Sequence, residues 1–98
     1  MGKAEPVALE DTEKTFPELQ ARLSKTIEIL EAVDQKTFDE NEETEVVLKT
    51  RSGEQKFTGK SYILYFAIPN FYFHFVTAYD LLRKEGVDIG KRNYMGRF

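Results

Sequence analysis

The chain has 98 residues, 41% hydrophobic and 32% charged, which is typical of one small folded domain. Its net charge of -3 hides an asymmetry: residues 1–46 carry 13 acidic and 5 basic side chains, and residues 47–98 carry 4 and 9. Opposite charge favours packing of the two halves, within one chain or between two. The basic residues are scattered, so no nucleic-acid partner is predicted. The lack of cysteine excludes disulfides, iron–sulfur clusters and thiolate zinc sites.

The first residues are polar and acidic and lack the apolar centre of a secretory signal, so the cytoplasm is the predicted compartment. An uncharged run at 62–79 has a marginal length for a membrane span. It contains Pro69, Asn70, His74 and four tyrosines, which are unusual in a helix that faces lipid. We therefore predict no membrane partner.

Residues 1–14 are predicted to form a polar N-terminal arm that is extended or partly disordered. A helix is predicted over about 15–33, because Thr15 and Glu18 have the spacing of a capping box and a proline lies in the first turn. Glu18 and Arg22 have the i, i+4 spacing of a helical ion pair. We expect the helix to bury one side, because its apolar residues recur at helical spacing. These residues are Phe16, Leu19, Leu23, Ile27 and Leu30.

An acidic connection at 34–44 follows, with Phe38 as its one apolar anchor. Its carboxylates lack the alternate spacing and central glycine of an EF-hand loop, so it is not assigned a calcium site. The β-branched run from Glu45 and a turn at 51–54 predict a β-hairpin over about 45–58.

A second, longer helix is predicted over about 59–85, ended by Gly86 as a left-handed cap. Pro69 removes one backbone hydrogen bond, so a kink or local unwinding is expected there. Nearly the whole circumference is apolar, which is typical of a buried helix. Three stripes run along it: first Leu64, Ile68, Phe71, Phe75, Ala78 and Leu82; second Tyr62, Phe66, Pro69, Phe73 and Val76; third Ile63, Ala67, Asn70, His74, Thr77 and Leu81.

The other predicted elements offer too little apolar surface to cover three stripes. Some of this surface is therefore expected to meet another chain, or a part of the protein that this chain lacks. The C-terminal tail is expected to pack back onto the fold, because it contains apolar side chains at Ile89, Tyr94, Met95 and Phe98.

Four segments carry a family resemblance: TFPELQARLSKTIEIL, the hairpin ending in FTG, AIPNFYFH at 67–74 and IGKR at 89–92. Over roughly residues 7–96 they resemble one uncharacterised family of the DinB/YfiT-like superfamily of metal-dependent helical-bundle proteins. The resemblance implies an up-and-down four-helix bundle. For many members it also implies a site of three histidines, two of them spaced HxxxH on the last helix.

The resemblance places Asn70 and His74 at the HxxxH positions, so these two are the candidate metal ligands, with zinc or nickel as the metal. Only the second histidine is present, and the chain matches the latter half of the family's length. Since such metals need about three protein ligands, no cofactor is expected in one chain alone. The alternative is a core histidine that is bonded to Asn70, Thr77 or a carbonyl freed by Pro69. No second catalytic group stands at a recognisable spacing, so catalytic residues are unknown.

We therefore predict a mainly α fold: two long helices plus a β-hairpin over 15–98, forming half of a DinB-like bundle. The favoured function is a dimerising interaction or structural module. The helices should cross near their middles, with Phe66, Asn70, Phe73 and His74 toward the two-fold axis. A missing N-terminal half-bundle is the alternative partner. The alternative function is a remnant of a metal-dependent transferase or hydrolase.

Overall fold

Helices make up most of the structure, a computed structural model that describes residues 7–96. The chain divides into two units, one before and one after the Lys60–Ser61 bond. The fold is mainly α with one antiparallel hairpin, as predicted, and it adds two short helices that were not predicted, Gln35–Asp39 and Lys91–Met95. In chain order the elements are α1 Phe16–Glu31, α2 Gln35–Asp39, β1 Glu45–Thr50, β2 Gly53–Thr58, α3 Gly59–Tyr62, a π-helical segment Ile63–Ala67, α4 Ile68–Lys84 and α5 Lys91–Met95.

The predicted capping box starts α1. The Glu18 backbone N–H donates to the Thr15 hydroxyl at 3.3 Å, and the Glu18 carboxylate accepts from the Thr15 and Lys14 backbone N–H groups at 3.2 and 2.6 Å. Because its carboxylate is turned back to these amides, Glu18 makes no ion pair with Arg22. The helical spacing therefore gave the wrong partner for Arg22.

The apolar stripe of α1 is exposed, so the prediction that this helix buries one side is wrong. Phe16 is 89% exposed, and the least exposed member, Leu19, is still 46% exposed. Periodicity identifies the apolar side of a helix, but it does not say what covers that side. In the part of the chain that the structure describes, no hydrophobic residue is buried.

The connection after α1 is held by a polar residue rather than by Phe38, which is 38% exposed. Asn41 is buried; its amide nitrogen donates to the Thr37 carbonyl at 2.5 Å and its amide oxygen accepts from the Thr44 hydroxyl at 2.8 Å. The backbone carbonyl of the next residue, Glu42, accepts the backbone N–H of Lys60 at 2.8 Å. These bonds fix the connection to the start of α3.

The β-hairpin lies where the sequence predicts it, with Glu45 paired to Thr58 and Thr50 paired to Gly53. The turn is therefore shorter than expected, with two residues between the last pair. Gly53 has φ 128°, a conformation that favours glycine, and its carbonyl accepts the Thr50 hydroxyl at 2.8 Å.

The second helix is continuous from Gly59 to Lys84, but a π-helical segment interrupts its α-helical register just before Pro69. The Ile68 N–H donates to the Ile63 carbonyl, five residues earlier. This confirms the local unwinding expected at the proline. A π-helical turn contains one extra residue, so the residues before it are rotated around the helix axis relative to those after it. Ile63, rather than Leu64, therefore precedes Ile68 on the same face. The first stripe of the sequence thus holds only within α4.

A complete Schellman motif ends α4, as predicted for Gly86, whose φ is 96°. The Gly86 N–H donates to the Arg83 carbonyl, and the Val87 N–H to the Leu82 carbonyl, both at 3.1 Å.

None of the helices described is long and apolar enough to cross a membrane.

The C-terminal tail packs back onto α4, as expected. The Tyr94 ring lies 5.3 Å from the Phe75 ring and 5.4 Å from the Tyr79 ring, and the Tyr79 hydroxyl donates to the Gly90 carbonyl at 2.5 Å. The expectation for Phe98 lies outside the described residues.

Candidate functional site

The two candidate ligands, Asn70 and His74, lie one turn apart on α4, and both are exposed. The His74 ring stands edge-on to the Phe73 ring, with centroids 5.3 Å apart. The Thr77 hydroxyl donates to the Phe73 carbonyl at 2.6 Å. His74 is therefore not a core histidine in this chain, and the hydroxyl considered as its partner is bonded to the helix backbone.

These side chains form part of an uncovered surface, the open face of α4, which comprises Asn70, Phe73, His74, Thr77 and Leu81. At 3.6 residues per turn, this face lies opposite Phe75 and Tyr79, onto which the tail packs. Phe73 is 67% exposed and Leu81 is 55% exposed. The tail thus covers one side of α4 and leaves the side with the candidate ligands open.

The donor atoms on the open face do not fit a zinc or nickel site by themselves. They supply one imidazole and one amide, whereas such sites take about three protein ligands and prefer imidazole or carboxylate to amide. No group of three or more histidine and acidic residues that could hold a metal occurs within residues 7–96. The spacing predicts correctly that Asn70 and His74 share a face of α4.

A second polar cluster, centred on Arg22, was not found by the sequence analysis. One terminal nitrogen of Arg22 donates to both Glu13 carboxylate oxygens, at 3.0 and 2.9 Å, and to the Glu10 carbonyl at 2.9 Å. The other nitrogen lies 3.0 Å from the Asp11 carboxylate. The sequence does offer Asp11 and Glu13 as acidic partners for Arg22, but the i, i+4 spacing rule favoured Glu18 as its partner.

The Arg22 cluster joins the segment before α1 to the helix beside an open cleft of about 450 Å³. The backbone N–H of Glu13, followed by the Arg22 guanidinium, holds the pKa of Glu13 below its usual range. The bonds to Glu13 in turn raise the pKa of Arg22. The carboxylates of Asp11 and Glu13 neutralise the Arg22 guanidinium. The cluster therefore attaches the segment before α1 to the helix and has little attraction for an anionic ligand.

The profile of the family described as Domain of unknown function (DUF1993) matches residues 1–95. The chain belongs to this family. No curated protein and no solved structure matches it. The DUF1993 description names no activity, so the function has to be argued from the exposed faces and the charged groups of this chain.

Proposed function

We propose that this DUF1993 chain is an interaction module of the DinB-like type, half of a four-helix bundle that a second copy completes. The observation that carries the proposal is the exposure of its apolar side chains, since none in residues 7–96 is buried. Burial of one large apolar side chain contributes about 1.5–3 kcal/mol. Leaving several in water thus costs on the order of the whole stability of a small domain.

The choice of a second copy follows from counting helix faces. The α1 helix offers one apolar stripe, whereas α4 is apolar on more than one side. Full coverage of one side of α4 by α1 would still leave another side in water. A two-fold axis covers a surface with the same surface and needs no other sequence. The homodimer is therefore preferred to a missing N-terminal half-bundle.

The open face is the side of α4 proposed to meet its copy. It lies opposite the tail, so nothing from its own unit competes for it. Pairing through this face near the middle of the long helix brings Asn70, Phe73 and His74 toward the axis. Phe66, which was predicted to join them, lies in the π-helical segment and is not part of the open face. The domain at 15–98 and the cytoplasmic location remain predictions.

Sedimentation velocity or light scattering at micromolar concentration tests the proposal. The expected mass is twice that of the 11.4 kDa chain, and dilution should reduce it. A cooperative monomer whose mass and melting temperature do not depend on concentration would refute the homodimer.

The second candidate is a remnant of a DinB-like metal-dependent transferase or hydrolase. One observation favours it: the π-helical segment lies directly before Asn70 and His74, and such segments are frequent at functional sites. Two copies would bring two histidines toward one axis. Metal analysis of the purified protein separates this candidate from a purely structural module.

A further inference from the structure

The apolar stripe of α1 has a symmetric spacing. Its members follow one another at steps of 3, 4, 4 and 3 residues, and they are Phe16, Leu19, Leu23, Ile27 and Leu30. The order of steps is the same in both directions from Leu23. A two-fold axis at Leu23 therefore places every member opposite an apolar side chain of a second, antiparallel copy. In such a pair Phe16 lies opposite Leu30, Leu19 lies opposite Ile27, and Leu23 lies opposite its own copy.

The segment before α1 packs on a different side of this helix. The cleft beside the Arg22 cluster is lined from α1 by Ala21 and Lys25 as well. At 3.6 residues per turn, Ala21 and Lys25 lie on the side of the helix away from Leu23. Leu23 is 58% exposed and Ile27 is 53% exposed. The attached segment therefore leaves the apolar stripe in water.

The two ends of α1 carry exposed charges of opposite sign. Lys14 stands just before the cap, and Glu31 is the last residue of the helix. Neither forms an ion pair with another residue of the described range 7–96. The last turn of α1 has no basic residue, so Glu31 lies at the negative end of the helix dipole, where a carboxylate is unfavourable.

We propose that two copies of this chain pack their α1 stripes together, with the helices antiparallel and Leu23 at the axis. The last turn of each helix then lies beside the start of the other, where Glu31 meets Lys14 and the positive end of the helix dipole. A parallel pair would bring Glu31 beside its own copy, and like charges oppose association. The helix lies wholly in the first unit, and the contact involves residues of that unit alone.

The α1 contact is too small to hold two chains together at micromolar concentration. It has five large apolar side chains per chain, whereas stable complexes use about 20–30 residues a side. It therefore adds to the association proposed for the open face of α4, and in this respect the inference rests on the proposed homodimer.

Two charge reversals test the α1 contact. Glu31→Lys alone, or Lys14→Glu alone, places like charges together at both ends of the helix pair, so association should weaken about tenfold at low salt. A 1:1 mixture of the two variants, or one chain with both changes, should regain the parental affinity, because the charges that meet are again opposite. Near 1 M salt the differences should disappear, since the screening length is then about 3 Å. Lys25→Glu is the matched control on the other side of α1 and should keep the parental affinity.

Glu31→Lys also separates pairing from folding. A cation in the last turn suits the helix dipole, so the helix of the single chain should be kept or strengthened while association weakens. Circular dichroism of the dilute variant measures the helix, and sedimentation measures the association. A loss of helix together with the loss of affinity would overturn the contact, because the charge would then act on folding.

The orientation is measured with a spin label at Ala32→Cys, since the chain has no native cysteine. Ala32 lies about 14 Å beyond Leu23 along the helix, so an antiparallel pair separates the labels by about 27 Å. A distance near 10 Å indicates a parallel pair and overturns the orientation.

The outcomes separate the α1 contact from the proposed homodimer. Charge reversals that leave the affinity unchanged overturn the α1 contact, and a dimer that Phe73→Asp still weakens then stands on the open face of α4. An association that responds to the charge reversals but not to Phe73→Asp overturns the open face and supports the α1 contact. A parent that is monomeric at every concentration overturns both.

Discussion

At the scale of single residues, Arg22 determines how the segment before α1 is attached, and Arg22→Ala should change the titration of Glu13. The backbone N–H of Glu13 and, after it, the Arg22 guanidinium favour the ionised carboxylate, so the pKa of Glu13 lies below the usual range. Removing the guanidinium should raise the pKa of Glu13 toward its ordinary value, while the backbone bond keeps part of the effect. Carboxyl chemical shifts followed by NMR across the acidic range measure this pKa.

The sign of the pH dependence follows from the lowered pKa. The bond to Arg22 is complete above the ordinary glutamate pKa of about 4.3 and is lost as the pH falls from there through the lowered value. Lys25→Ala is the matched control: it lines the same cleft, but its ammonium lies 3.6 Å from Glu28. A pKa of Glu13 that responds equally to both substitutions would contradict the assignment to Arg22.

His74 should not hold a stoichiometric metal. The open face supplies one imidazole and one amide per chain, fewer than the three protein ligands typical of zinc. Elemental analysis of the purified protein should find far less than one zinc or nickel per dimer, with no difference between the parent and His74→Ala. About one tightly bound metal per chain or per dimer, lost in His74→Ala, would favour the enzyme remnant instead.

At the scale of elements, the Gly86 cap depends on its backbone conformation. Gly86→Ala should destabilise the protein by about 1–2 kcal/mol, the cost of a left-handed residue that has a β-carbon. Open space surrounds the position, so no steric clash contributes. Gly90→Ala is the control, since its φ of -152° suits any residue and its surroundings are also open. Denaturant unfolding compares the two, and equal losses would rule out the conformational explanation.

Pro69→Ala tests whether the proline maintains the π-helical segment. Alanine restores the backbone N–H and removes a proline cost of about 3 kcal/mol, so the helix should be stabilised. The Ile63–Ala67 segment can then return to α-helical register, which would rotate the residues before it relative to Asn70 and His74. Melting temperature and backbone chemical shifts report the two effects. A lower melting temperature would mean that the proline ring serves packing.

The sequence predicted the features that depend on neighbouring residues. The Thr15–Glu18 box, the hairpin and the Gly86 cap each need a few side chains at fixed spacing and little else. The π-helical segment was located only as an unwinding, because a periodicity of 3.6 assumes an unbroken register. The ion pairs of Arg22 were missed because the helical spacing rule considers only partners on the same helix.

At the scale of the whole molecule, the candidate site too could be predicted only in part from the sequence. That Asn70 and His74 share a face follows from their spacing, and the structure agrees. Whether His74 is buried depends on what covers the open face, which no spacing rule contains. The exposed stripe of α1 was mispredicted for the same reason, since amphipathicity defines a surface without naming its partner.

The stability of the whole molecule should depend on its concentration. If folding and pairing are coupled, mass action raises the melting temperature as the concentration of chains increases. Phe73→Asp should remove this dependence, because each chain loses an aromatic contact and gains a charge at the interface. The lost burial is about 1.5–3 kcal/mol per chain and occurs twice by symmetry, which corresponds to a dimer about 100-fold weaker or more. Ser24→Asp adds the same charge outside the apolar stripe of α1 and should behave as the parent. Calorimetry over a range of concentrations decides the matter: a parental melting temperature that stays constant, or a Phe73→Asp variant that matches the parent, would show that the open face does not pair.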